Sequence, residues 1–230
     1  MIEVKVTVTR FDPARDVAPH PQSYSLVVRE NQTLLDVLMD LAADHDATIA
    51  FRRACRSGIC GTCGVLVNGT PKLACETLVS EVLGGHEISL GPLPHFRVLK
   101  DLVVDIDEFL DSLHGVIPWL VLDPQYDGRM PQSQVQKLEK STECILCGLC
   151  QADETVKDDD PRARLNPAAM VKGFRYAFDP RDALGVERAK LVRDLGLLNR
   201  PLDGEGRLGC PKHIDFNGQI VPELKQVLGE

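Results

Sequence analysis

The chain has 230 residues, 8 cysteines and a formal net charge of −8 at pH 7. This length suits one large or two small domains, and a hydrophobic content of 43% predicts ordinary cores without disulfides. The acidic charge argues against nucleic acid or an anionic membrane surface as a partner. No apolar run reaches membrane-spanning length, and Met1 leads directly into an alternating pattern instead of a secretory signal. We therefore expect a cytoplasmic protein whose clustered cysteines bind metal instead of forming disulfides.

The first part of the sequence predicts a small sheet with one helix. Apolar and polar residues alternate over 2–8 and 24–28, which predicts two half-buried strands. Thr33 is a candidate N-cap for a leucine-rich helix. A hairpin is predicted around Asn68-Gly69, and residues 88–90 form a last short strand. Residues 91–94 (GPLP) are a stiff connector, so we place the first domain at residues 1–94.

After the connector the hydrophobic period becomes that of a helix. Apolar residues follow helical spacing over 98–113, and Pro118 ends that run. Further helices are predicted over 133–140, 168–178 and 186–195, and no stretch alternates like a strand. The expected fold class is α+β, with an N-terminal β-grasp domain of the ferredoxin type followed by an all-α domain at residues 95–230.

The first set of cysteines has the spacing C-x4-C-x2-C-x11-C and consists of Cys55, Cys60, Cys63 and Cys75. This spacing is typical of plant-type [2Fe–2S] sites. Gly58, Gly61 and Gly64 would let the backbone turn around the sulfurs with its N–H groups pointing inward. The alternative is a zinc site, but zinc sites usually pair C-x2-C with a second such pair or with histidine. The x4 and x11 intervals fit that alternative poorly.

The second set combines a C-x2-C-x2-C run with a distant Cys-Pro pair and consists of Cys144, Cys147, Cys150 and Cys210. Two-cluster ferredoxins continue this run with x3-C-P, and that fourth cysteine serves the other cluster. Here that position is Glu154, which would remove a ligand from the neighbouring cluster and spare the local one. The local set still has its fourth ligand in Cys210, which precedes Pro211, and we expect it to hold a [4Fe–4S] cluster. Zinc is again the alternative, although this run is tighter than common zinc spacings. Four plus four accounts for all eight cysteines.

A few other residues near the cysteines have two interpretations each. Arg52, Arg53 and Arg56 would either stabilise the extra negative charge of a reduced first cluster or form ordinary surface salt bridges. His213 would either influence the second cluster or be an exposed side chain. A lone Glu154 without cysteine partners is a poor iron ligand. We find no catalytic triad, phosphate loop or dinucleotide motif, so we assign no catalytic residue.

Several segments together resemble one known family. The resemblance is carried by FRRACRSGICGTC at 51–63, LAC at 73–75, KDLVVD at 100–105, ECILC at 143–147, NPAA at 166–169 and CPK at 210–212. These segments look like the iron–sulfur subunit of succinate dehydrogenase and fumarate reductase, over nearly the whole chain. The expected α+β, two-domain fold agrees with that resemblance.

The resemblance implies an electron-transfer subunit of an oxidoreductase complex. In that family, a flavoprotein subunit with FAD converts a dicarboxylate, and electrons pass through [2Fe–2S], [4Fe–4S] and [3Fe–4S] centres to a quinone at a membrane anchor. By resemblance, the first cysteine set faces the flavin and the second holds the middle centre. Substrate conversion is assigned to the partner and not to this chain.

The sequence departs from the family at the third cluster. Cysteines are expected at the positions of Glu154, Gly206 and about Arg200, and none is present. The segment 155–160 is acidic and lacks an aromatic residue, and burying unpaired charge beside an apolar quinone is unfavourable. This segment is either a solvated loop or, through residues 158–160, a docking site for a basic electron carrier. We expect no quinone there, and a downstream partner that differs from the usual one.

Two further functional hypotheses stay open. The chain is alternatively a redox-sensing or docking subunit with structural clusters, although it has no basic module for regulation. It is alternatively a quinone-linked subunit whose anchor supplies the quinone site beside the [4Fe–4S] centre. The protein is then peripheral at the inner face of a membrane through its partner subunits. The substrate, direction of electron flow and terminal partner are left open by the sequence.

Overall fold

Residues 1–152, 166–199 and 209–230 are described by a computed structural model. They form two units, Met1–Asp105 and Ile106–Glu230. The boundary between the units follows Asp105 and therefore lies beyond the connector at residues 91–94. Residues 98–104 belong to the first unit because they are hydrogen-bonded to the rest of it. The backbone N–H of Asp101, for example, donates to the carbonyl of Phe11 at 2.8 Å.

The first unit is built on a five-stranded sheet with the order β2-β1-β5-β3-β4. Its strands are β1 (Ile2–Arg10), β2 (His20–Val28), β3 (Gly64–Val67), β4 (Thr70–Leu73) and β5 (Glu87–Gly91). β1 runs antiparallel to β2 and parallel to β5, and β3 pairs with β4 as a hairpin. This arrangement is the β-grasp sheet, and the predicted strands and hairpin are confirmed.

The helix of the first unit, α1 (Leu34–Asp44), begins where the sequence predicts it. Thr33 accepts a hydrogen bond from the backbone N–H of Asp36, and the Asp36 side chain accepts one from the N–H of Thr33. This reciprocal capping satisfies donors that the first helical turn leaves unpaired. The leucine side of the helix is buried, as the pattern indicates. A short helix, α2 (Val79–Val82), follows the hairpin.

The helix predicted over residues 98–113 is wrong in its first half. Residues 98–104 form two short antiparallel strands, β6 (Val98–Lys100) and β7 (Val103–Val104). Asp101 lies between them at φ 47°, a left-handed conformation that reverses the chain. Helical structure begins only at α3 (Asp107–Ser112). The β-branched valines favour strands, and the Asp101 side chain accepts the backbone N–H groups of Phe11 and Ala50, two residues far away in sequence.

The described part of the second unit is helical, as the sequence predicts. After α3, its helices are α4 (Gln132–Thr142), α5 (Pro167–Ala177), α6 (Val186–Asp194) and α7 (Val221–Leu228). The first three of these match the predicted segments to within a few residues, whereas α7 and the π-helix Phe216–Ile220 before it were not predicted. None of the helices in the described ranges is long and apolar enough to cross a membrane.

A buried ion pair ties an irregular segment of this unit to α6. The Arg188 and Asp182 side chains are both fully buried and 2.6 Å apart. Arg188 also donates to the carbonyls of Val116 and Trp119, at 3.1 and 2.8 Å. Because each charge is partnered, the pair is tolerated in the core, and it fixes residues 116–119 against the helix.

Candidate metal centres

The first cysteine set lies on an irregular loop that leads into the β3–β4 hairpin. We call residues 55–63 the first cysteine loop, and Cys75 follows the hairpin that comes after it. The N–H of Ala74 donates to the carbonyl of Cys63 at 3.0 Å, and the N–H of Leu35 donates to the carbonyl of Ala74 at 2.9 Å. The hairpin and α1 therefore bring Cys75 back beside the loop.

Backbone N–H groups of this loop point at two of its sulfurs. The Sγ of Cys55 accepts from the N–H groups of Ser57, Ile59 and Cys60 at 3.3–3.4 Å. The Sγ of Cys75 accepts from the N–H of Gly58 at 3.3 Å. Such donors stabilise the negative charge of a thiolate ligand.

Two of the three glycines that the sequence predicts to turn the backbone around the sulfurs have the conformation this requires. Gly58 and Gly61 adopt φ of 62° and 72°, a conformation that favours glycine, whereas Gly64 begins β3. A Cβ atom on Gly58 would lie 1.7 Å from Oε1 of Glu76, so the loop is closely packed against that carboxylate. The predicted inward turn of the backbone is therefore present in the loop.

The thiols of the first set are not equivalent. The N–H of Ser57, together with those of Cys60 and Ile59, lowers the pKa of Cys55 to about 6. Burial raises the pKa of Cys63 to about 12. The thiolate is the form that binds metal, so Cys55 reaches that form more readily than Cys63.

The second cysteine set lines one cavity of the second unit, which we call the second cysteine pocket. Cys144, Cys147 and Cys150 follow α4, and Cys210 joins them from a distant part of the chain. Besides these cysteines, the lining is mostly apolar and consists of Ile145, Leu146, Gly148, Ala168, Val171, Pro211, Lys212, Ile214 and Phe216. Four thiols therefore converge on an apolar space.

Burial dominates the electrostatics of this pocket. It raises the pKa of Cys147 to about 12 and also raises the pKa of Cys144. The N–H groups of Leu146 and Leu149 act in the opposite direction, on Cys144 and Cys147 respectively, and so does the charge of Lys172 on Cys144. Thiolates in this pocket lack solvation by water. A positively charged iron centre that binds them would compensate for this loss.

Both sets provide the four cysteine ligands that an iron–sulfur cluster requires. Among the described residues, no group of three or more His, Cys, Asp or Glu side chains is arranged to hold one metal ion. A cluster places iron and inorganic sulfide between its cysteines, so its ligands need only surround a shared space. The N–H donors at the first set and the four-thiol pocket at the second fit that requirement.

The other predicted residues are less closely involved. Arg52 donates to the carbonyl of Val104 at 3.0 Å, whereas Arg53 and Arg56 are exposed. The His213 side chain is exposed, and its backbone N–H donates to the carbonyl of Cys210 at 3.0 Å. Glu154, the acidic run at 155–160, Arg200 and Gly206 lie outside the described residues.

Two sets of residues near the cysteines were not found from the sequence. One is a buried network around Arg10 and Asp101, for which only the family-like KDLVVD segment gave a signal. The other is the apolar wall of the second pocket, including Phe216, which lies in the unpredicted π-helix. Neither set of residues has a characteristic sequence spacing by which it could be identified from a single sequence.

The fold and these two sites define a two-unit protein of the iron–sulfur electron-transfer class. A family model described as a 2Fe-2S iron-sulfur cluster binding domain matches residues 5–111. The fumarate reductase iron-sulfur subunit of Mycobacterium tuberculosis is 36% identical over 226 residues, covering 96% of this chain and 91% of that protein. A mitochondrial succinate dehydrogenase iron-sulfur subunit of rice is 35% identical, covering 82% of this chain and 69% of that protein.

A solved structure supports the same relationship. A chain of the Mycobacterium smegmatis Sdh1 complex in the apo form matches with a TM-score of 0.83 and 26% identity. The match covers 97% of this chain and 94% of that one. The chain therefore belongs to the family of iron–sulfur subunits of succinate dehydrogenase and fumarate reductase, as its cysteine segments predict.

Proposed function

We propose that this chain relays electrons between an FAD-containing flavoprotein and a downstream partner through one [2Fe–2S] and one [4Fe–4S] cluster. The observation that carries the proposal is the division of all eight cysteines into two complete sets, one on the N–H-rich loop and one around the apolar pocket. Family membership supports the electron-transfer role. No cysteine of the chain is left for a third cluster.

The ligand assignment follows the two sets. Cys55, Cys60, Cys63 and Cys75 hold the [2Fe–2S] cluster, and Cys144, Cys147, Cys150 and Cys210 hold the [4Fe–4S] cluster. When bound, the clusters supply one-electron redox chemistry. The chain's own contribution is to orient the thiolates, to offset their charge with backbone N–H groups at the first set, and to exclude water at the second.

The downstream end differs from that of a quinone-linked subunit. The positions where the family carries its [3Fe–4S] cysteines are Glu154, Gly206 and about Arg200, and the segment after 154 is acidic. The downstream partner is accordingly a soluble carrier or a subunit with its own redox centre. The flavoprotein acts on succinate, fumarate or a related compound. The complex is cytoplasmic, or peripheral at the inner face of a membrane through other subunits.

Anaerobic affinity purification of the tagged full chain from its native cells tests this function. We expect a flavoprotein to co-purify with about one FAD per chain, and its substrate to reduce both clusters in the complex. Recovery without any flavoprotein would instead support the sensor or docking hypothesis. Co-purifying hydrophobic anchor subunits together with quinone reductase activity would support the quinone-linked alternative.

A further inference from the structure

The chain that enters the first cysteine loop lacks regular secondary structure. Residues 45–63, all of which the structure describes, contain neither helix nor strand. Backbone groups in such a segment need partners elsewhere, and its conformation is only as fixed as those partners are. Two residues that are distant in sequence contact this segment: Asp101, between β6 and β7, accepts from its backbone, and Arg10, at the end of β1, bonds two of its side chains.

Asp101 joins the entering segment to the end of β1. Its side chain is 1% exposed, and Oδ1 accepts from the N–H of Phe11 at 2.9 Å while Oδ2 accepts from the N–H of Ala50 at 2.8 Å. The next residue, Leu102, donates its N–H to the carbonyl of Ala50 at 3.2 Å. Ala50 is therefore held through both of its backbone polar groups.

Arg10 holds the same segment a few residues earlier. Its Nε donates to Oδ1 of Asp101 at 3.0 Å, its Nη1 to Oδ2 of Asp46 at 2.6 Å and its Nη2 to Oγ1 of Thr48 at 2.9 Å. Nη1 also donates to Gln22 and to the hydroxyl of Tyr24 on β2, at 2.9 Å each. One guanidinium thereby ties the segment to the sheet.

The anchoring continues almost to the first cysteine. Arg52, three residues before Cys55, donates to the carbonyl of Val104 on β7 at 3.0 Å. After Arg52, the Sγ of Cys55 accepts a hydrogen bond from a backbone N–H group of the loop itself. At the other end, the bond between Ala74 and Cys63 fixes the loop to the hairpin. The entry side thus depends on the network that Arg10 and Asp101 form.

We propose that Arg10 and Asp101 are positioning residues that set the geometry of the first cysteine loop and so control retention and spectroscopic character of its cluster. The inference rests on the proposed [2Fe–2S] assignment. Neither residue touches a cysteine sulfur, so both act through residues 46–52. Without the Asp101 carboxylate, the N–H groups of Phe11 and Ala50 no longer both have a side-chain acceptor and Arg10 loses its ion pair at Nε, which loosens the segment.

The test compares full-length chains purified anaerobically with their clusters. In Asp101→Asn, the amide keeps the size of the carboxylate but presents N–H where one backbone donor needs an acceptor. We expect the two-iron absorption to decay about 10-fold faster under an iron chelator, the lower end of the losses seen when residues that orient metal ligands are removed, because Asp101 acts on the ligands only through residues 46–52. We also expect a changed g tensor in the EPR signal of the reduced two-iron centre, while the four-iron signal is unchanged.

Two controls separate positioning from general destabilisation. Asp12→Asn removes the partly exposed ion pair with Lys100, which is next to Asp101 in sequence but does not hold the loop. Asp182→Asn disrupts the fully buried pair with Arg188 in the other unit. Both should leave the two-iron decay rate and g tensor at wild-type values. Far-UV circular dichroism verifies that each compared variant is folded.

The outcomes distinguish the inference from the function on which it rests. A wild-type chain without a two-iron signal contradicts the proposed function. A folded Asp101→Asn chain with wild-type decay and g tensor, in a wild type that has the signal, overturns the positioning role. If Asp101→Asn yields no folded chain, Arg10→Lys decides by the same measurements, because it keeps the charge and loses the planar fork.

Discussion

Cys55 of the first cysteine set and Cys147 of the second have pKa values that are shifted in opposite directions. In the first cysteine loop, backbone N–H groups surround an exposed Cys55 and lower its pKa to about 6. In the second cysteine pocket, apolar side chains surround Cys147 and burial raises its pKa to about 12. The first site therefore has an exposed, polar side formed by backbone N–H groups, whereas the second is apolar and organised by packing.

The difference follows from where the ligands lie in the chain. The first set spans 55–75, so its four cysteines lie on one loop and directly after one hairpin. The second set requires Cys210 to reach a run that ends at Cys150, and helices must hold the two segments together. We therefore expect the first site to be sensitive to backbone conformation and the second to the packing of its walls.

The largest expected effect is the selective loss of one cluster when one of its cysteine ligands is replaced. Cys210→Ser should abolish the four-iron EPR signal and leave the two-iron spectrum unchanged, because Cys210 belongs only to the second pocket. Cys75→Ser is the matched variant and should have the reverse effect. Loss of the two-iron signal in Cys210→Ser would show that the assignment of ligands to clusters is wrong.

The packing of the second pocket provides a smaller effect. Phe216 is 1% exposed and lines the pocket, so Phe216→Ala should destabilise the second unit by about 3–5 kcal/mol. Phe109→Ala deletes another buried ring of the same unit, 5% exposed, that does not line the pocket. Denaturant unfolding measures both variants, and chelator challenge measures the release of iron.

We expect faster loss of four-iron absorption in Phe216→Ala than in Phe109→Ala at matched stability, since only the first admits water to the thiolates. The two-iron absorption should decay at the wild-type rate in both. Equal release of four-iron absorption from the two variants would mean that the pocket wall does not protect the cluster, and the comparison between the sites would fail.

The backbone of the first loop provides the smallest effect. Gly58→Ala places a side chain at φ 62° and displaces Glu76, and the left-handed conformation costs about 1–2 kcal/mol. Gly69→Ala is the control, because Gly69 has φ 82° and a Cβ there meets nothing within 4 Å. Both should lower the thermal stability of the first unit, and Gly58→Ala should lower it more because it also displaces Glu76.

Only Gly58→Ala should also shift the EPR signal of the reduced two-iron centre, since the N–H of Gly58 donates to Cys75. The measurement is EPR on both variants after anaerobic reduction, with thermal unfolding alongside. A spectrum of Gly58→Ala identical to that of Gly69→Ala would show that this N–H donor does not act on the cluster ligand.

The sequence predicted those features that depend on local chemistry. Thr33 capped α1, Asn68-Gly69 turned the hairpin, and the valines of β1 alternated, because each pattern acts over a few residues. The helix expected over residues 98–113 failed because its apolar spacing fits a strand pair as well. What decided that segment was Asp101, whose partners Phe11 and Ala50 are far away in sequence.

The same limit applies to the sites. Cysteine spacing indicated both sets, because the number of residues between ligands is constrained by the cluster. The Arg10–Asp101 network and the wall formed by Phe216 depend on contacts between distant segments, which no spacing records. The sequence therefore predicted the candidate ligands, and the structure was needed for what surrounds them.

Iron analysis combined with EPR of the anaerobically purified chain tests the central claim most directly. Two complete cysteine sets predict about six iron atoms per chain, two from one centre and four from the other, and reduced-state signals from two centres. A near-isotropic signal of an oxidised three-iron cluster that persists after reconstitution with iron and sulfide would contradict the account. So would a chain that retains zinc in place of iron.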